Sequence, residues 1–157
     1  ATHVRERVSA LTHLGEMKWR YRVVEEGETP RSAALGVLTQ AQEVIDAHMT
    51  TNTDVSESEL RRAWAAELTA IWMGLALTRL IFNEKRTEDK KIDRLLQQSL
   101  ALREEAGLHE PLAETHNALG SLRQKQRAYA EAEVHYRESY VTRTGLLEQV
   151  ASTSDAQ

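Results

Sequence analysis

Apolar residues recur at steps of three and four along most of the chain, which is the spacing of one face of an α-helix. The pattern begins with Val4, Val8, Leu11 and Leu14. No segment alternates apolar with polar residues well enough to predict a β-strand. The chain is therefore predicted to adopt an all-α fold.

Six helices are predicted, separated by short breaks. They span about 4–24, 32–48, 59–83, 90–106, 111–126 and 128–149. A side chain of Ser56 or Ser58 is expected to cap the third helix. Gly107 is expected just past the end of the fourth helix, where glycine is favoured. Residues 152–157 are small and polar and are expected to form a frayed tail.

An internal repeat is visible when the helices are taken in pairs. The first helix of each pair carries a large apolar residue followed by glycine, at Leu14–Gly15, Met73–Gly74 and Leu119–Gly120. The second helix carries apolar or small residues at equal steps: Ala34, Leu38 and Ala41; Ile92, Leu96 and Ser99; Ala132, Tyr136 and Ser139. A glycine inside a helix costs up to about 1 kcal/mol relative to alanine. Its recurrence predicts a close helix crossing that leaves no room for a side chain.

The last of these pairs, residues 113–120 followed by 127–140, resembles the tetratricopeptide repeat family. Residues 100–107, with His109 and Pro111, are similar to the longer repeats of kinesin light chains and nephrocystin-3-like proteins, although Glu110 separates the histidine from the proline. The resemblance implies a short right-handed solenoid of about three antiparallel helical hairpins. The repeats would cover about 4–48, 58–106 and 111–150 within a single domain, 1–151.

The resemblance also implies a concave groove, lined by the first helix of each hairpin, that binds a peptide or a helix of another protein. The groove positions that it implies are Trp19, Leu68, Ile71, Trp72, Leu75, Arg79, Asn117, Ser121 and Lys125. Thr12, His13, Glu16 and Glu114 extend the same faces. The family's carboxylate clamp needs asparagine where this chain has Glu16, Leu75 and Ser121, so the clamp is not expected.

The third predicted helix leaves two interpretations open, because apolar residues surround it almost completely. One face could line the groove, or neighbouring segments could cover every face. The geometry relative to Gly74 directs Trp72 toward the groove and Leu77 toward another side. A groove would make the chain a non-catalytic interaction scaffold. A covered helix would favour a structural subunit packed inside a large assembly, and a regulatory domain of a longer protein is a third interpretation.

Composition narrows the possible functions further. Of the 157 residues, 41% are hydrophobic and 28% charged, the formal net charge is −4, and there is no cysteine. The net negative charge argues against the positively charged surface that binds nucleic acid. No apolar run reaches the length of a membrane span. No signal peptide is evident, and a cytoplasmic protein is expected. The chain begins without methionine, which suggests processing or a domain of a longer protein.

No constellation for catalysis is recognisable. His109, Glu110 and Pro111 do not form a zinc-protease motif. There is no glycine-rich phosphate loop and no nucleophile elbow. The carboxylates lie among lysines and arginines, where they are typical of solvated helix faces. We therefore expect no enzymatic activity, no metal and no cofactor.

Overall fold

The computed structural model of the protein describes residues 2–156, except for the side chain of Thr2. Within this range it contains seven α-helices and no strand, which confirms the all-α prediction. The helices are α1 (Thr2–Arg20), α2 (Pro30–Thr51), α3 (Glu57–Ala63), α4 (Ala65–Ile81), α5 (Asp89–Glu105), α6 (His109–Lys125) and α7 (Tyr129–Asp155).

The seventh helix arises from a break at Trp64, where one continuous helix over 59–83 was predicted. The prediction was wrong at this point, because α3 and α4 meet at Trp64 with a bend of 76°. The Trp64 ring is 4% exposed and packs edge-on against His48 of α2, with ring centroids 5.0 Å apart. The guanidinium of Arg5 lies 4.3 Å from the centre of the same ring. These tertiary contacts hold the side chain at the corner between the two helices.

Local signals define several helix ends. Thr29 and Ser32 form a reciprocal capping box at the start of α2. The Ser56 hydroxyl accepts a hydrogen bond from the amide of Glu59, which confirms Ser56 as the cap of α3. Gly107 follows α5 with φ of +70°, as predicted, and the amide of the next residue returns to the Arg103 carbonyl. This glycine supplies a left-handed conformation that ends the helix with its carbonyls satisfied.

The helices pack mainly against their neighbours along the chain. The most extensive contacts join α1 to α2, α4 to α5, and α6 to α7. Further contacts of α2 with α4, and of α5 with α6, connect these pairs to one another. Two apolar clusters form the core. One centres on Ile45, Trp64 and Ile71, and the other on Met73, Ile92 and Leu119.

Two of the three repeat glycines lie where the sequence predicted. A Cβ on Gly15 would lie 2.7 Å from Cγ of Leu38 on α2, and one on Gly120 would lie 2.8 Å from Cε1 of Tyr136 on α7. Both glycines therefore face the helix with which their own helix pairs. Gly74 was predicted to face α5 in the same way, and this prediction was wrong. A Cβ there would lie 3.0 Å from Cδ2 of Leu38, on α2.

The C-terminal helix is longer than predicted. It continues through Asp155, so residues 152–155 are helical and not the start of a frayed tail. Gln157 lies outside the described residues. Among residues 2–156, no single helix is long and apolar enough to cross a membrane, whereas the bent pair of α3 and α4 reaches that length and composition when taken together.

Candidate binding groove

A groove of about 960 Å³ lies between α1 and α4 and reaches α5 and α6 at one end. Its apolar lining includes Val8, Trp19, Ala70, Met73 and Leu77. Charged side chains from four helices surround these residues: Arg5, Glu6, Glu16, Arg20, Glu67, Arg103 and Glu114. Ligand sites commonly combine an apolar surface with a few polar groups, and the volume lies within their usual range.

The α1 side of the groove contains the residues that the sequence pattern assigned to it. Thr12, His13, Glu16 and Trp19 all line it. Val8 and Trp19 are 0% and 9% exposed, so the apolar part of this face lies deepest. The Thr12 hydroxyl and the side chains of His13 and Glu16 lie nearer to solvent.

The α4 side uses a different face from the one assigned. Its lining residues are Ala66, Glu67, Ala70, Met73, Gly74 and Leu77. The predicted groove residues Leu68 and Ile71 are buried in the first apolar cluster, and Trp72 and Leu75 pack against that cluster. The Trp72 indole nitrogen donates a hydrogen bond to Oε1 of Gln42 on α2, at 3.0 Å.

The position of Gly74 explains this difference in faces. Three residues of α1 and three residues of α4 line the groove at matching positions along their helices. The same sequence offset relates Ser9 to Ala70, Thr12 to Met73, and Glu16 to Leu77. The same offset relates Gly15 to Ala76, which is fully buried, and not to Gly74. Aligning the glycines therefore rotated the assigned face of α4 away from the groove.

Arg79 lies outside the groove lining, in an ion-pair cluster. Its guanidinium contacts Glu88, which also receives two hydrogen bonds from Arg31 of α2, at 2.8 and 2.9 Å. Burial acts to raise the pKa of Glu88, but the two arginines outweigh it and hold that pKa below its usual value. The cluster connects the start of α2 with the start of α5.

The three assigned residues of α6 also lie outside the groove lining. Lys125 donates a hydrogen bond to the Leu80 carbonyl at 2.8 Å, near the end of α4. Asn117 is exposed and Ser121 is half-buried. They lie on the same helix as Glu114, through which α6 contributes to the groove.

Arg103 is a groove residue that the sequence pattern did not identify. It is 4% exposed, and its Nε donates to the Thr69 hydroxyl at 2.9 Å. Its Nη1 donates to the Thr115 hydroxyl and the Pro111 carbonyl, both at 2.8 Å, and lies 3.7 Å from the Glu114 carboxylate. Burial lowers the pKa of Arg103, and Glu114 opposes that shift. One feature of the sequence could have identified it: Arg103 follows Ile92, Leu96 and Ser99 at helical spacing, which places it on the buried face of α5.

Two polar atoms of groove residues have no hydrogen-bond partner among residues 2–156. They are Nε1 of Trp19 and Oε2 of Glu67, both buried. The other oxygen of Glu67 contacts Arg5, whose side chain reaches from α1 to α4 at this end of the groove. An unpaired donor on α1 and an unpaired acceptor on α4 therefore belong to the same groove, and unpaired buried groups of this kind are uncommon in proteins.

A pair of histidines lies apart from the groove, between α6 and α7. The Nδ1 atoms of His116 and His135 are 3.2 Å apart. Burial lowers the pKa of His135, as do the charges of His116 and Arg123, while Glu131 and Asp93 act in the opposite direction. In the part of the chain that the structure describes, no three histidine or carboxylate side chains are grouped so that they could hold a metal ion.

Comparison with protein-family models, with curated proteins and with solved structures finds no match to this chain.

Proposed function

We propose that the chain is a non-catalytic scaffold that binds a peptide or a helix of another protein in the groove between α1 and α4. In this proposal the three helix pairs form a short right-handed array of the tetratricopeptide type. The observation that carries it is the groove itself, where an apolar surface is surrounded by charges of both signs. Such a surface suits a segment with apolar anchors and polar flanks.

The unpaired groups favour a peptide over a purely apolar ligand. A peptide backbone offers a carbonyl acceptor and an amide donor at every residue. The unpaired oxygen of Glu67 could accept a hydrogen bond from a ligand amide, and Trp19 could donate one to a ligand carbonyl, once the side chains that bury these two atoms move aside. Burial without such partners costs free energy, so a ligand that supplies them binds more tightly.

The proposed groove extends beyond the α1–α4 contact. The offset that relates Gly15 to Gly120 relates Thr12 and Glu16 to Asn117 and Ser121. These α6 residues would continue the line of the groove for a ligand longer than the α1–α4 segment. An asparagine at that position could hydrogen-bond the ligand backbone.

Selection of random peptides from a display library against the folded chain tests this proposal. Peptides that survive selection are synthesised, and their affinity is measured by fluorescence anisotropy. Ala70→Arg, which places a long cation in the groove, is expected to weaken binding by about tenfold or more, as for loss of a central contact. Ala101→Arg, on the exposed side of α5, serves as the matched control and should leave binding unchanged.

Three results would contradict the proposal. Selection could yield no peptide that binds the wild-type chain, Ala70→Arg could bind as well as wild type, or both variants could lose affinity equally. Circular dichroism melts of both variants establish that each is folded, so that a loss of binding reports on the groove.

A permanently packed subunit is the second candidate, and the exposed apolar residues of the first and last helices favour it. Leu14 and Met17 on α1 are 45% and 44% exposed, and Tyr140 and Leu147 on α7 are 70% and 71% exposed. Apolar residues concentrated at exposed faces mark interaction surfaces. In this candidate function a fixed neighbour covers those faces, and the groove takes no exchangeable ligand.

A further inference from the structure

We propose that His116 of α6 and His135 of α7 together bind one divalent transition-metal ion of the kind that imidazole nitrogens prefer, such as zinc, nickel or copper. The two side chains supply two ligands through their Nδ1 atoms, and water completes the coordination. The site lies apart from the groove and does not depend on its proposed ligand. It also departs from the expectation, drawn from the sequence pattern, that the chain holds no metal.

The distance between the two Nδ1 atoms suits a shared ion. These atoms of His116 and His135 are 3.2 Å apart. Nitrogen ligands bind zinc at about 2.0–2.1 Å, so two of them lie about 2.9 Å apart at a right angle and about 3.3 Å apart at the tetrahedral angle. The observed separation falls between these two values. One ion can therefore reach both nitrogens without movement of either helix.

The rings are arranged so that these two atoms meet. Their centroids are 5.5 Å apart and their planes are inclined by 33°, so the rings approach through their Nδ1 edges and do not stack. In a neutral pair one Nδ1 donates a hydrogen bond to the other. A small rotation about χ2, a torsion that is broad for histidine, directs both lone pairs toward an ion beside the line that joins the two nitrogens.

The protonation state of the pair favours metal binding at neutral pH, because only a neutral imidazole offers a lone pair to a metal. Burial lowers the pKa of His135, and the charges of His116 and Arg123 lower it as well. The ring of His135 is therefore mostly neutral at pH 7. Both histidines are half-buried, so an ion from solvent can still reach them.

Carboxylates beside the pair favour a cation. Glu131 lies four residues before His135 on α7, and Asp93 lies on α5. Both charges act on His135 in the direction that stabilises positive charge. The guanidinium of Arg123 contacts both carboxylates, Glu131 at 3.1 Å and Asp93 at 2.8 Å. Two carboxylates and one guanidinium leave a net negative charge near the pair, which is complementary to a divalent cation.

The number of protein ligands determines the class of site. In the described chain no three histidine or carboxylate side chains are grouped to hold a metal, so the two imidazoles act without a third protein ligand. Structural zinc sites have four protein ligands and catalytic zinc sites have three. A site with two binds more weakly, and its ion exchanges with solvent. While bound, the ion joins α6 to α7 and stabilises the folded chain by mass action.

Isothermal titration calorimetry with ZnCl2 tests the site. One saturable event with one ion per chain is expected, whereas MgCl2 and CaCl2 should give none, because these cations prefer oxygen ligands. His116→Gln and His135→Gln should each weaken zinc binding by about tenfold or more, since even the loss of an outer-shell partner costs about 10–100-fold. His109→Gln changes an exposed histidine and is the matched control, which should bind zinc like wild type.

NMR of the imidazole nitrogens identifies the ligand atoms. Zinc is expected to shift the Nδ1 resonances of His116 and His135 and to leave those of His109 in place. This measurement uses the wild-type chain alone, so it decides the question even where a variant does not fold. In thermal melts, zinc should raise the melting temperature of wild type and of His109→Gln, but not that of the other two variants.

A wild-type chain with no saturable zinc binding would overturn the proposal. Zinc binding that both His116→Gln and His135→Gln retain would overturn it too, because the ion would then lie at other side chains. Magnesium binding as tight as that of zinc, or zinc-induced shifts confined to the remaining histidines, would have the same consequence.

Discussion

Gly120 of α6 and Tyr136 of α7 are in direct contact, because the tyrosine ring lies over the glycine where a side chain would otherwise project. A Cβ on Gly120 would lie within 3.0 Å of three atoms of that ring. The Tyr136 hydroxyl donates a hydrogen bond to Gln124 at 2.9 Å, which holds the ring across α6. The close crossing of these two helices thus depends on the absence of a side chain.

Gly120→Leu is expected to lower the free energy of unfolding by about 1–3 kcal/mol, as for an overpacked core. Helix propensity alone predicts the opposite sign, because leucine favours the helix over glycine. Gly36→Ala is the matched control: Gly36 is exposed within α2 and nothing lies near its missing Cβ. That substitution should raise stability by up to about 1 kcal/mol. Urea unfolding measures both, and a stabilised Gly120→Leu protein would contradict the close crossing.

Leu38 of α2 should couple two helices energetically, because it packs against Gly15 of α1 and Gly74 of α4. Leu38→Ala is expected to cost about 2–5 kcal/mol, since the residue is fully buried. Gly15→Ala should destabilise the wild-type chain, where its Cβ meets Leu38, but much less a chain that already carries Leu38→Ala. A double-mutant cycle by urea unfolding measures this coupling. Additive free energies would show that Leu38 does not fill the space beside Gly15.

Trp72 and Leu77 are expected to act in the opposite way from the sequence-based hypothesis, which placed Trp72 in the groove. Trp72 packs against the first cluster and binds Gln42, whereas Leu77 lines the groove. Trp72→Ala should therefore lower the free energy of unfolding by about 2 kcal/mol or more, with little effect on a groove-bound peptide. Leu77→Ala should weaken that peptide more strongly than Trp72→Ala does. Thermal melts and anisotropy titrations of both variants decide between the two assignments.

The stability of the protein is expected to fall as the pH drops below about 6.5, the ordinary pKa of histidine. The pKa of His135 is lowered in the folded chain, so the unfolded chain takes up a proton first and is favoured by acid. The loss should level off below the folded pKa of His135.

Replacing His135 by glutamine should reduce this slope, whereas replacing exposed His109 should leave it nearly unchanged. Urea unfolding of the three proteins across this pH range measures the difference. An identical slope in the His135→Gln variant would show that the pair with His116 does not govern the response.

The sequence alone was sufficient to predict the all-α class and the two glycine contacts within α1–α2 and α6–α7. These features depend on the spacing of residues within one helix. Residues three or four positions apart share a helix face wherever that helix lies in the fold. Thr12, His13, Glu16 and Trp19 were expected on one face of α1 for the same reason, and all four line the pocket between α1 and α4. Their positions relative to a well-defined glycine contact determine which way they face.

The tertiary structure decided the rest. A helix with apolar residues all round, such as α4, has no face that the sequence alone can distinguish, so its neighbours determine which residues are buried. The contact between Gly74 and Leu38 oriented α4, and the packing of Trp64 against His48 separated it from α3. Arg103 could be buried only because hydroxyls from two other helices, Thr69 and Thr115, satisfy its guanidinium. Such partners are distant in the sequence, and only the packing of the helices brings them within hydrogen-bonding distance.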